Sequence, residues 1–409
     1  NRAKQTESEE EADVILFTTC TVRENANQKL YGRIGQLKHL YKKNKDMVIG
    51  ITGCMMQEKD EVETIQKKYP YVHLIFGTHN IYKLAELLFE ALISKERKVE
   101  TWEDTNLIVE NLPSKRKYPF RASVNISFGC NNFCTYCIVP FVRGREKSRD
   151  SREIVKECEA LVRDGVKEIM LLGQNVNSYG LDREEELSFP ELLRTVAKIP
   201  GLRRIRFMTP NPKDFSDELL SVIQENENIC NHIHLPLQSG STNILKRMNR
   251  HYTKESYLSL LRKIKKSLPE LGLTTDIIVG FPGETEEDFQ DTLSVVREAQ
   301  FDSAFTFQYS KRSGTPAAKW EVVDEKIVAE RFQRLLDTVR ESSKEREGKD
   351  LGKVMEVLVE ERNTETNMLT GRLENNILVH FEGGERLLGE IVPVKLEKSM
   401  GFYYYGSVV

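Results

Sequence analysis

Three cysteines within one short segment are the residues of this sequence best suited to chemistry. Cys130, Cys134 and Cys137 are spaced C-x3-C-x2-C in the run SFGCNNFCTYCIVPF. Thiolates at such a spacing can hold an iron–sulfur cluster, in which each iron usually takes one cysteine. Because only three cysteines are present, one iron of a four-iron cluster would keep an open position, and an open position on a metal is where chemistry takes place.

A structural zinc site is the main alternative for these cysteines. Such a site usually closes with four ligands in paired spacings, and no fourth Cys or His lies near Cys137 in the sequence. A disulfide framework is not expected in a chain of 409 residues that shows no secretory signal. The spacing therefore favours a redox cluster.

The sequence around the cysteines is basic. Between residues 111 and 152 there are nine Lys or Arg and two acidic residues, a net charge of +7, whereas the entire chain carries −3. A charge run is often only a solvated surface, but beside a candidate active site it predicts a surface that binds phosphate groups. Further basic residues follow at Arg203, Arg204, Arg206 and Lys213. The candidates for substrate binding are Arg143, Arg145 and Arg149.

The elements that must position these residues fall into three predicted domains. Residues 1–112 alternate three apolar runs with helical segments near 24–41 and 81–93, which predicts a parallel α/β domain. Residues 113–346 follow a polar linker and contain six strand-like runs separated by helical patterns, which predicts an open (β/α)6 barrel with chemistry at its carboxyl-terminal edge. One of these helices is expected to begin at Asp150 or Ser151 and to end before Gly165. Residues 347–409 contain five short strand-like runs, which predicts a small all-β barrel.

Two further cysteines end neighbouring apolar runs of the first domain. Cys20 closes ADVILFTTC and Cys54 closes MVIGITGC. In open α/β sheets ligands bind at the carboxyl ends of the strands, so the two thiols could converge on a second cluster. The alternative is a pair of buried structural cysteines.

Polar residues also follow several predicted barrel strands. Gln174 and Asn175 lie in GQNVNSYG after the second strand, where the alternative is an Asn/Gly turn. Gln238 follows the fourth strand, and Asp276 lies in the fifth, before a GFPGET turn that lacks a phosphate-loop lysine. We expect Cys158 and Cys230 to be packing residues, and His232 and His234 to be structural rather than metal-binding.

The cysteine loop, with Tyr136 directly before its last cysteine, resembles the radical S-adenosylmethionine superfamily. The resemblance implies that the open iron binds the amino and carboxylate groups of S-adenosylmethionine. Transfer of one electron from the cluster would then cleave the cofactor to a 5′-deoxyadenosyl radical. It implies cofactor binding by Tyr136, Gln174, Asn175, Gln238 and Asp276. The chemistry would then be carried by clusters and cofactor, without an acid or base side chain.

The runs TTCTVRENA and TGCMMQ resemble the amino-terminal domain of methylthiotransferases, and GRLENNILVHFEG resembles the TRAM module of RNA-modifying proteins. In that family the first domain holds a second 4Fe-4S cluster with three cysteines. The first of these normally lies in a Gly-Cys-x-Met-Asn run ahead of the segment seen here, so Cys20 and Cys54 would be two of the three ligands. We therefore expect that the given chain lacks its natural start.

The branch of the family most similar to this sequence acts on tRNA. The resemblance implies a transferase that replaces the hydrogen on carbon 2 of an N(6)-isopentenyladenosine next to the anticodon with a methylthio group. The sulfur would come from the second cluster and the methyl group from a second S-adenosylmethionine. Expected partners are the tRNA anticodon stem-loop and an electron donor such as flavodoxin or ferredoxin. We expect a cytoplasmic monomer without membrane contact.

Other functions stay open from the sequence, both within this family and outside it. Within the family, the substrate could be threonylcarbamoyl-adenosine in tRNA or an aspartate of a ribosomal protein. The stretch from residue 347 onward has a net charge of −4, which would suit a basic protein substrate. Outside the family, the chain could be an iron–sulfur protein that binds RNA or carries electrons without radical chemistry, or a zinc-stabilised α/β protein.

Overall fold

The computed structural model of the chain describes residues 4–21, 24–102, 105, 107–110, 112, 114–344 and 348–409. The chain forms two compact units. The first, here called the cysteine unit, consists of Asn1–Leu112, Gly129–Glu146 and Ser310–Ala318, and the second, the barrel unit, consists of Pro113–Phe128, Lys147–Tyr309 and Lys319–Val409. The domain boundaries predicted at residues 113 and 346–347 lie outside the described residues and stay predictions.

The cysteine unit contains a parallel sheet with strands in the order β1-β2-β3-β4. The strands are β1 (Val14–Thr19), β2 (Val48–Gly53), β3 (Leu74–Phe76) and β4 (Lys98–Glu100). The helices are α1 (Glu24–Lys43), α2 (Lys59–Lys68), α3 (Leu84–Ser94) and the short α4 (Val139–Arg143). The predicted parallel α/β fold is confirmed. The sequence prediction did not include α2 and β4, because α2 is rich in charge and β4 is too short to show a period.

The core of the cysteine unit explains why the inner strand β2 is apolar at every position but Thr52. All six residues of β2 are buried, as expected for a parallel strand that is covered on both faces. Ile34 and Leu37 of α1 pack into the same core as Ile51 and Ile75. The carboxyl ends of β1 and β2 are thereby held next to each other.

The barrel unit contains six parallel strands in two groups, ordered β5-β8-β9 and β10-β11-β12. A parallel bridge between Ile205 and Ile229 connects the groups, so the six strands form an open barrel as predicted. The strands are β5 (Arg121–Asn125), β8 (Glu168–Leu172), β9 (Arg204–Phe207), β10 (His232–His234), β11 (Gly272–Val279) and β12 (Ser303–Gln308). The helices are α5 (Ser151–Arg163), α6 (Phe189–Ala197), α7 (Asp217–Glu225), α8 (Thr242–Arg247), α9 (Lys254–Ser267), α10 (Glu286–Ala299) and α11 (Glu325–Lys344).

Two local features frame the cysteine loop in the chain. The loop is preceded by β6 (Ser127–Phe128) and followed by β7 (Lys147–Ser148), which pair antiparallel; the sequence prediction did not include this hairpin. Helix α5 follows, with Asp150 as N-cap accepting a hydrogen bond from the Arg152 N–H, and Gly165 with φ of 91° lies just beyond its end. The predicted ends of this helix are confirmed.

The carboxyl-terminal part of the barrel unit is a closed five-stranded barrel, ordered β13-β14-β15-β17-β16. Its strands are β13 (Val354–Arg362), β14 (Leu369–Arg372), β15 (Leu378–Phe381), β16 (Ile391–Ser399) and β17 (Tyr403–Val408). Alternate side chains such as Val357, Val379 and Phe381 form its core. All five predicted strands are therefore present.

The small barrel packs against the amino-terminal ends of the parallel strands through two buried arginines of β9. Arg204 donates hydrogen bonds to the carbonyl oxygens of Arg372 and Glu356 at 2.9 and 2.8 Å. Arg206 donates to the carbonyl oxygens of Glu374 and Leu373 at 2.7 and 2.8 Å. The expectation that these arginines contribute to an exposed phosphate-binding surface is wrong, because burial commits both guanidinium groups to backbone carbonyls.

Among the parts of the chain that the structure describes, no helix is both long and apolar enough to cross a membrane.

Candidate functional site

The loop between β6 and β7 carries Cys130, Cys134 and Cys137. Cys130 and Cys134 are buried and Cys137 is half-buried, and all three are thiols rather than disulfides. Two backbone hydrogen bonds shape the loop, one joining its two ends and one forming a turn within it. The Cys130 N–H donates to the Gly144 carbonyl oxygen at 3.2 Å, and the Cys137 N–H donates to the Cys134 carbonyl oxygen at 2.9 Å.

The start of the loop requires glycine. Gly129 has φ of 72°, and a Cβ at this position would collide with the Arg145 carbonyl oxygen. Next in the loop, Asn132 Nδ2 donates to Cys130 Sγ at 3.4 Å, and burial raises the pKa of the Cys130 thiol. An N–H donor aimed at a sulfur suits a thiolate that binds a metal, because the metal replaces the thiol proton.

The donor set of the loop fits a cluster. Across the described residues, no three His, Cys, Asp or Glu side chains are grouped around a position for one metal ion. A four-iron cluster does not require such a group, since each of its cysteines binds a different iron. Three neighbouring thiols on one short loop are therefore suited to hold the 4Fe-4S cluster of the sequence prediction.

The structure brings Cys20 and Cys54 to adjacent strand ends, as the sequence predicted. In the parallel pairing of β1 and β2, Thr19 lies opposite Gly53, and a cysteine directly follows the end of each strand. Gly53 has φ of 109°, and a Cβ there would collide with the Thr19 backbone. Cys20 is exposed, whereas only 3% of Cys54 is exposed. Their role as ligands stays a prediction.

A side-chain hydrogen bond joins the segments that follow these two cysteines. The Thr21 hydroxyl donates to the Glu58 carboxylate, and burial raises the pKa of that carboxyl. Thr21 directly follows Cys20, and Glu58 caps the 3₁₀ turn Cys54–Gln57. The bond therefore holds the two cysteine segments together.

Helix α4 brings the cysteine loop to Cys54 within the cysteine unit. Ile138 and Val142 form an apolar cluster with Cys54. The Thr78 hydroxyl donates to the Val142 carbonyl oxygen at 3.1 Å, and Arg143 Nε donates to Cys54 Sγ at 3.4 Å. The two predicted cysteine sites thus lie in one compact unit. The sequence carried no signal for the Arg143 contact, because it joins two distant segments.

Residues that follow neighbouring strands of the barrel unit form a polar network around Asn175. Asn175 Nδ2 donates to Asp214 Oδ2 at 2.8 Å, and its Oδ1 accepts from the Asn211 N–H at 3.2 Å. Arg250 donates to Asn211 Oδ1 at 3.2 Å, while Gln174 is half-buried beside Asn175. The sequence prediction missed Asp214, Asn211 and Arg250, although the first two follow the third predicted strand.

Gln238 follows β10 and is a neighbour of Asp276, which lies within β11. Gln238 has φ of 67°, and its N–H donates to the Asp276 carbonyl oxygen at 2.8 Å. The Asp276 carboxylate lies 3.2 Å from His234 Nε2, and His234 Nδ1 lies 2.9 Å from the Thr274 hydroxyl. A chain of polar contacts therefore leads from Thr274 through His234 to Asp276.

His232 completes this chain at its buried end. Its Nε2 lies 3.2 Å from the Thr274 hydroxyl, and burial together with the Arg206 charge lowers its pKa to about 3. Both histidines are thus hydrogen-bonded within the fold, as the sequence analysis expected. Alternation in HIH and TTD placed these side chains on matching faces, but only the register of β10 on β11 joins them.

The remaining predicted residues occupy different environments. Arg149 is buried; it donates to the Asn125 carbonyl oxygen at 2.6 Å and forms an ion pair with Glu157 at 2.8 Å. Arg145 is exposed with its guanidinium 5.0 Å from the centre of the Phe133 ring, and Tyr136 is half-buried. Their roles in substrate or cofactor binding stay predictions.

The two other cysteines pack inside the barrel unit. Burial raises the pKa of Cys158 to about 12 and that of Cys230 to about 11. Thiols with such pKa values are poor metal ligands and nucleophiles at neutral pH. This agrees with the packing role expected from the sequence.

Comparison with known families divides the chain into three matched segments. Residues 1–77 match the Uncharacterized protein family UPF0004, residues 124–296 match the Radical SAM superfamily, and residues 348–409 match the TRAM domain.

Two solved structures share the fold at low sequence identity. The first is the radical S-adenosylmethionine methyltransferase TsrM from Kitasatospora setae, at a TM-score of 0.55 and 16% identity, covering 76% of this chain and 65% of that one. The second is the cobalamin-dependent S-adenosylmethionine radical enzyme OxsB, at a TM-score of 0.54 and 15% identity, covering 81% of this chain and 48% of that one. The chain therefore spans just under two thirds of the first structure and about half of the second.

Relatives of known name match over almost the entire chain. All three described here are named tRNA-2-methylthio-N(6)-dimethylallyladenosine synthase. The protein from Lachnoclostridium phytofermentans is 58% identical over 98% of this chain and 88% of its own length. Those from Alkaliphilus oremlandii and Acetivibrio thermocellus are 53% and 52% identical over 99% of this chain, and over 86% and 85% of their own lengths. At this identity and coverage, the chain belongs to the tRNA-2-methylthio-N(6)-dimethylallyladenosine synthase family.

Proposed function

We propose that the chain is a radical S-adenosylmethionine enzyme that adds a methylthio group to carbon 2 of N(6)-dimethylallyladenosine next to the anticodon of tRNA. The names of the relatives support this reaction and substrate. The structural observation that carries the proposal is the contact of Cys54 with the helix that follows Cys137. This contact supports two cysteine sites for clusters within one compact unit. A reaction that combines radical chemistry with sulfur insertion requires two such sites.

The Radical SAM superfamily implies a 4Fe-4S cluster and S-adenosylmethionine. Cys130, Cys134 and Cys137 would hold that cluster. Cys20 and Cys54 would supply two of the ligands of a second one. When bound, these groups supply the electron, the radical and the sulfur for an aromatic C–H that no side-chain base could deprotonate.

The remaining side chains would bind and orient the reactants. Gln174 and Asn175 present amide groups after β8. Gln238 presents an amide after β10, and Asp276 presents a carboxylate from within β11. With Tyr136, these groups are the proposed contacts to S-adenosylmethionine. The Asn175–Asp214 and His234–Asp276 contacts would hold two of them in place before the cofactor binds.

The proposed substrate requires a base that has left its stack. Unstacking costs least in a single-stranded loop, which favours an adenosine beside the anticodon. Exposed Arg145, two residues before β7, would contact tRNA phosphate. An electron donor of the flavodoxin or ferredoxin type and a monomeric state complete the proposal.

Metal analysis after anaerobic reconstitution tests the two sites. We expect about eight irons per chain in the protein and about four in the Cys130→Ala/Cys134→Ala/Cys137→Ala variant, because each site would hold four irons. About four irons falling to none would leave a single cluster and contradict sulfur donation by this chain. Zinc in place of iron would contradict the entire proposal.

Nucleoside analysis tests the substrate. The reconstituted protein is incubated with S-adenosylmethionine, reductant and tRNA that carries dimethylallyladenosine, and the digested nucleosides are examined by mass spectrometry. We expect the methylthio product from this tRNA, and none from tRNA with threonylcarbamoyl-adenosine or from ribosomal protein. Cofactor cleavage without a methylthio product on any of the three would refute the proposed reaction.

A further inference from the structure

The contact between Arg143 and Cys54 is the feature of the cysteine unit that the proposed reaction leaves unexplained. Arg143 Nε donates a hydrogen bond to Cys54 Sγ at 3.4 Å. Cys54 is 3% exposed, and Ile138 and Val142 pack against it. A hydrogen bond from a charged donor is strong in such apolar surroundings, because little water competes for the sulfur.

Arg143 is held in this position from both sides. It is the last residue of α4, and the carbonyl oxygen of the next residue, Gly144, accepts the Cys130 N–H at 3.2 Å. One residue before it, the Val142 carbonyl accepts the Thr78 hydroxyl at 3.1 Å. The backbone that carries Arg143 is therefore tied both to the loop of the first cluster and to the segment that follows β3.

We propose that Arg143 is a positioning residue that donates an N–H···S hydrogen bond to Cys54 when Cys54 binds the second cluster. The inference rests on the proposed function, since it requires iron at that site. Hydrogen bonds to ligand sulfurs help to set the reduction potential of a cluster. A reduced cluster carries one more negative charge, so a guanidinium beside its ligand stabilises the reduced state and raises the potential.

The hydrogen bond from Arg143 should also strengthen iron binding at Cys54. Loss of a group that orients a ligand typically weakens metal binding roughly 10–100-fold. Without Arg143, the Cys54 sulfur would keep its apolar neighbours but lose its charged donor. We therefore expect both faster loss of iron and a lower potential when Arg143 is replaced by glutamine.

Arg145 provides a matched control in the same loop. It carries the same charge two residues further along, and it is exposed with its guanidinium 5.0 Å from the centre of the Phe133 ring. The Arg145→Gln variant removes one positive charge without removing the bond to Cys54 Sγ. Its effect on the second cluster measures what the loss of loop charge does by itself.

The experiment uses the full chain with Cys130→Ala, Cys134→Ala and Cys137→Ala, so that any remaining iron belongs to the second site. Arg143→Gln, Arg143→Lys and Arg145→Gln are added to it singly. After anaerobic reconstitution, iron transfer to a chelator and a redox titration followed by electron paramagnetic resonance are measured. Neither readout requires turnover.

For Arg143→Gln we expect iron transfer to be about tenfold faster or more. We also expect the reduction equilibrium to shift about tenfold toward the oxidised state, which is about 59 mV for one electron. Arg143→Lys keeps the charge without the planar donor and should lie between Arg143→Gln and the parent. Arg145→Gln should match the parent in both measurements.

The other outcomes separate the two levels of the proposal. If the parent with three alanines binds iron and Arg143→Gln changes neither measurement, the role of Arg143 is refuted while the second site stands. Faster iron loss at an unchanged potential would show that Arg143 only packs α4, and would also refute the hydrogen-bond role. If that parent binds no iron, Cys20 and Cys54 do not hold a second cluster in this chain, and the role of Arg143 is refuted with it.

Discussion

Glu168 is a buried carboxylate in β8 that pairs with arginines of the two neighbouring strands, Arg121 of β5 and Arg206 of β9. Its carboxylate accepts from Arg206 Nε at 3.0 Å, and Arg121 Nε lies 3.1 Å from its other oxygen. Both side chains of the Glu168–Arg206 pair are 1% exposed. Replacing Glu168 by alanine would leave the guanidinium of Arg206 buried without its anionic partner.

The cost of that change follows from the geometry. Removing one partner of a buried ion pair typically destabilises a protein by roughly 3–5 kcal/mol. Arg206 would keep two carbonyl acceptors, and Arg121 would keep the carboxylate of Glu360, so we expect the lower end of this range. About 3 kcal/mol is a factor of about 100 in the unfolding equilibrium.

Urea unfolding of the Glu168→Ala variant measures this cost, with hydrogen exchange in β13 and β14 reporting on the small barrel. The matched control is Glu298→Ala, which removes an ion pair with Arg262 whose side chains are 49% and 69% exposed. An exposed pair contributes at most about 1 kcal/mol. If Glu168→Ala costs no more than Glu298→Ala, the buried pair does not stabilise the fold and the reasoning is wrong.

Three further predictions follow from single positions. Gly53→Ala places a side chain at a φ of 109° and against the backbone of β1, so it should lower the free energy of unfolding in urea by roughly 1–3 kcal/mol. It should also lower the amount of iron bound at the second site, and an unchanged iron content would contradict the prediction. The pKa of His232, about 3 through burial and the nearby Arg206, lies below the unfolded value of 6.5. Between these values only the unfolded chain takes up the proton, so the stability of the fold should fall as the pH drops from about 6.5 toward 3. The difference between the urea midpoints at pH 7 and pH 4.5 should be smaller in His232→Gln than in the unchanged protein. Cys158→Ala and Cys230→Ala should leave the iron content unchanged, because both thiols are buried in the core; loss of about four irons in either would assign it as a ligand.

Several features were determined by the sequence alone because they depend on neighbouring residues. The C-x3-C-x2-C spacing confines three thiols to one loop whatever the rest of the chain does. Short-range periodicity identified the six parallel strands and the five strands of the small barrel. Parallel order was sufficient to place Cys20 and Cys54 at adjacent strand ends, because neighbouring strands of such a sheet end at the same edge.

Other features depended on contacts between distant segments, which no local pattern encodes. Arg204 and Arg206 look like surface charges in the sequence, but the small barrel covers them and supplies carbonyl acceptors from residues far along the chain. The contact of Arg143 with Cys54 likewise requires α4 to pack on the turn after β2. The polar chain from His232 to Asp276 needs the register of two strands, and a shift of one residue would turn these side chains to the opposite face. The candidate cysteines could therefore be identified from local information, whereas their surroundings were decided by tertiary packing.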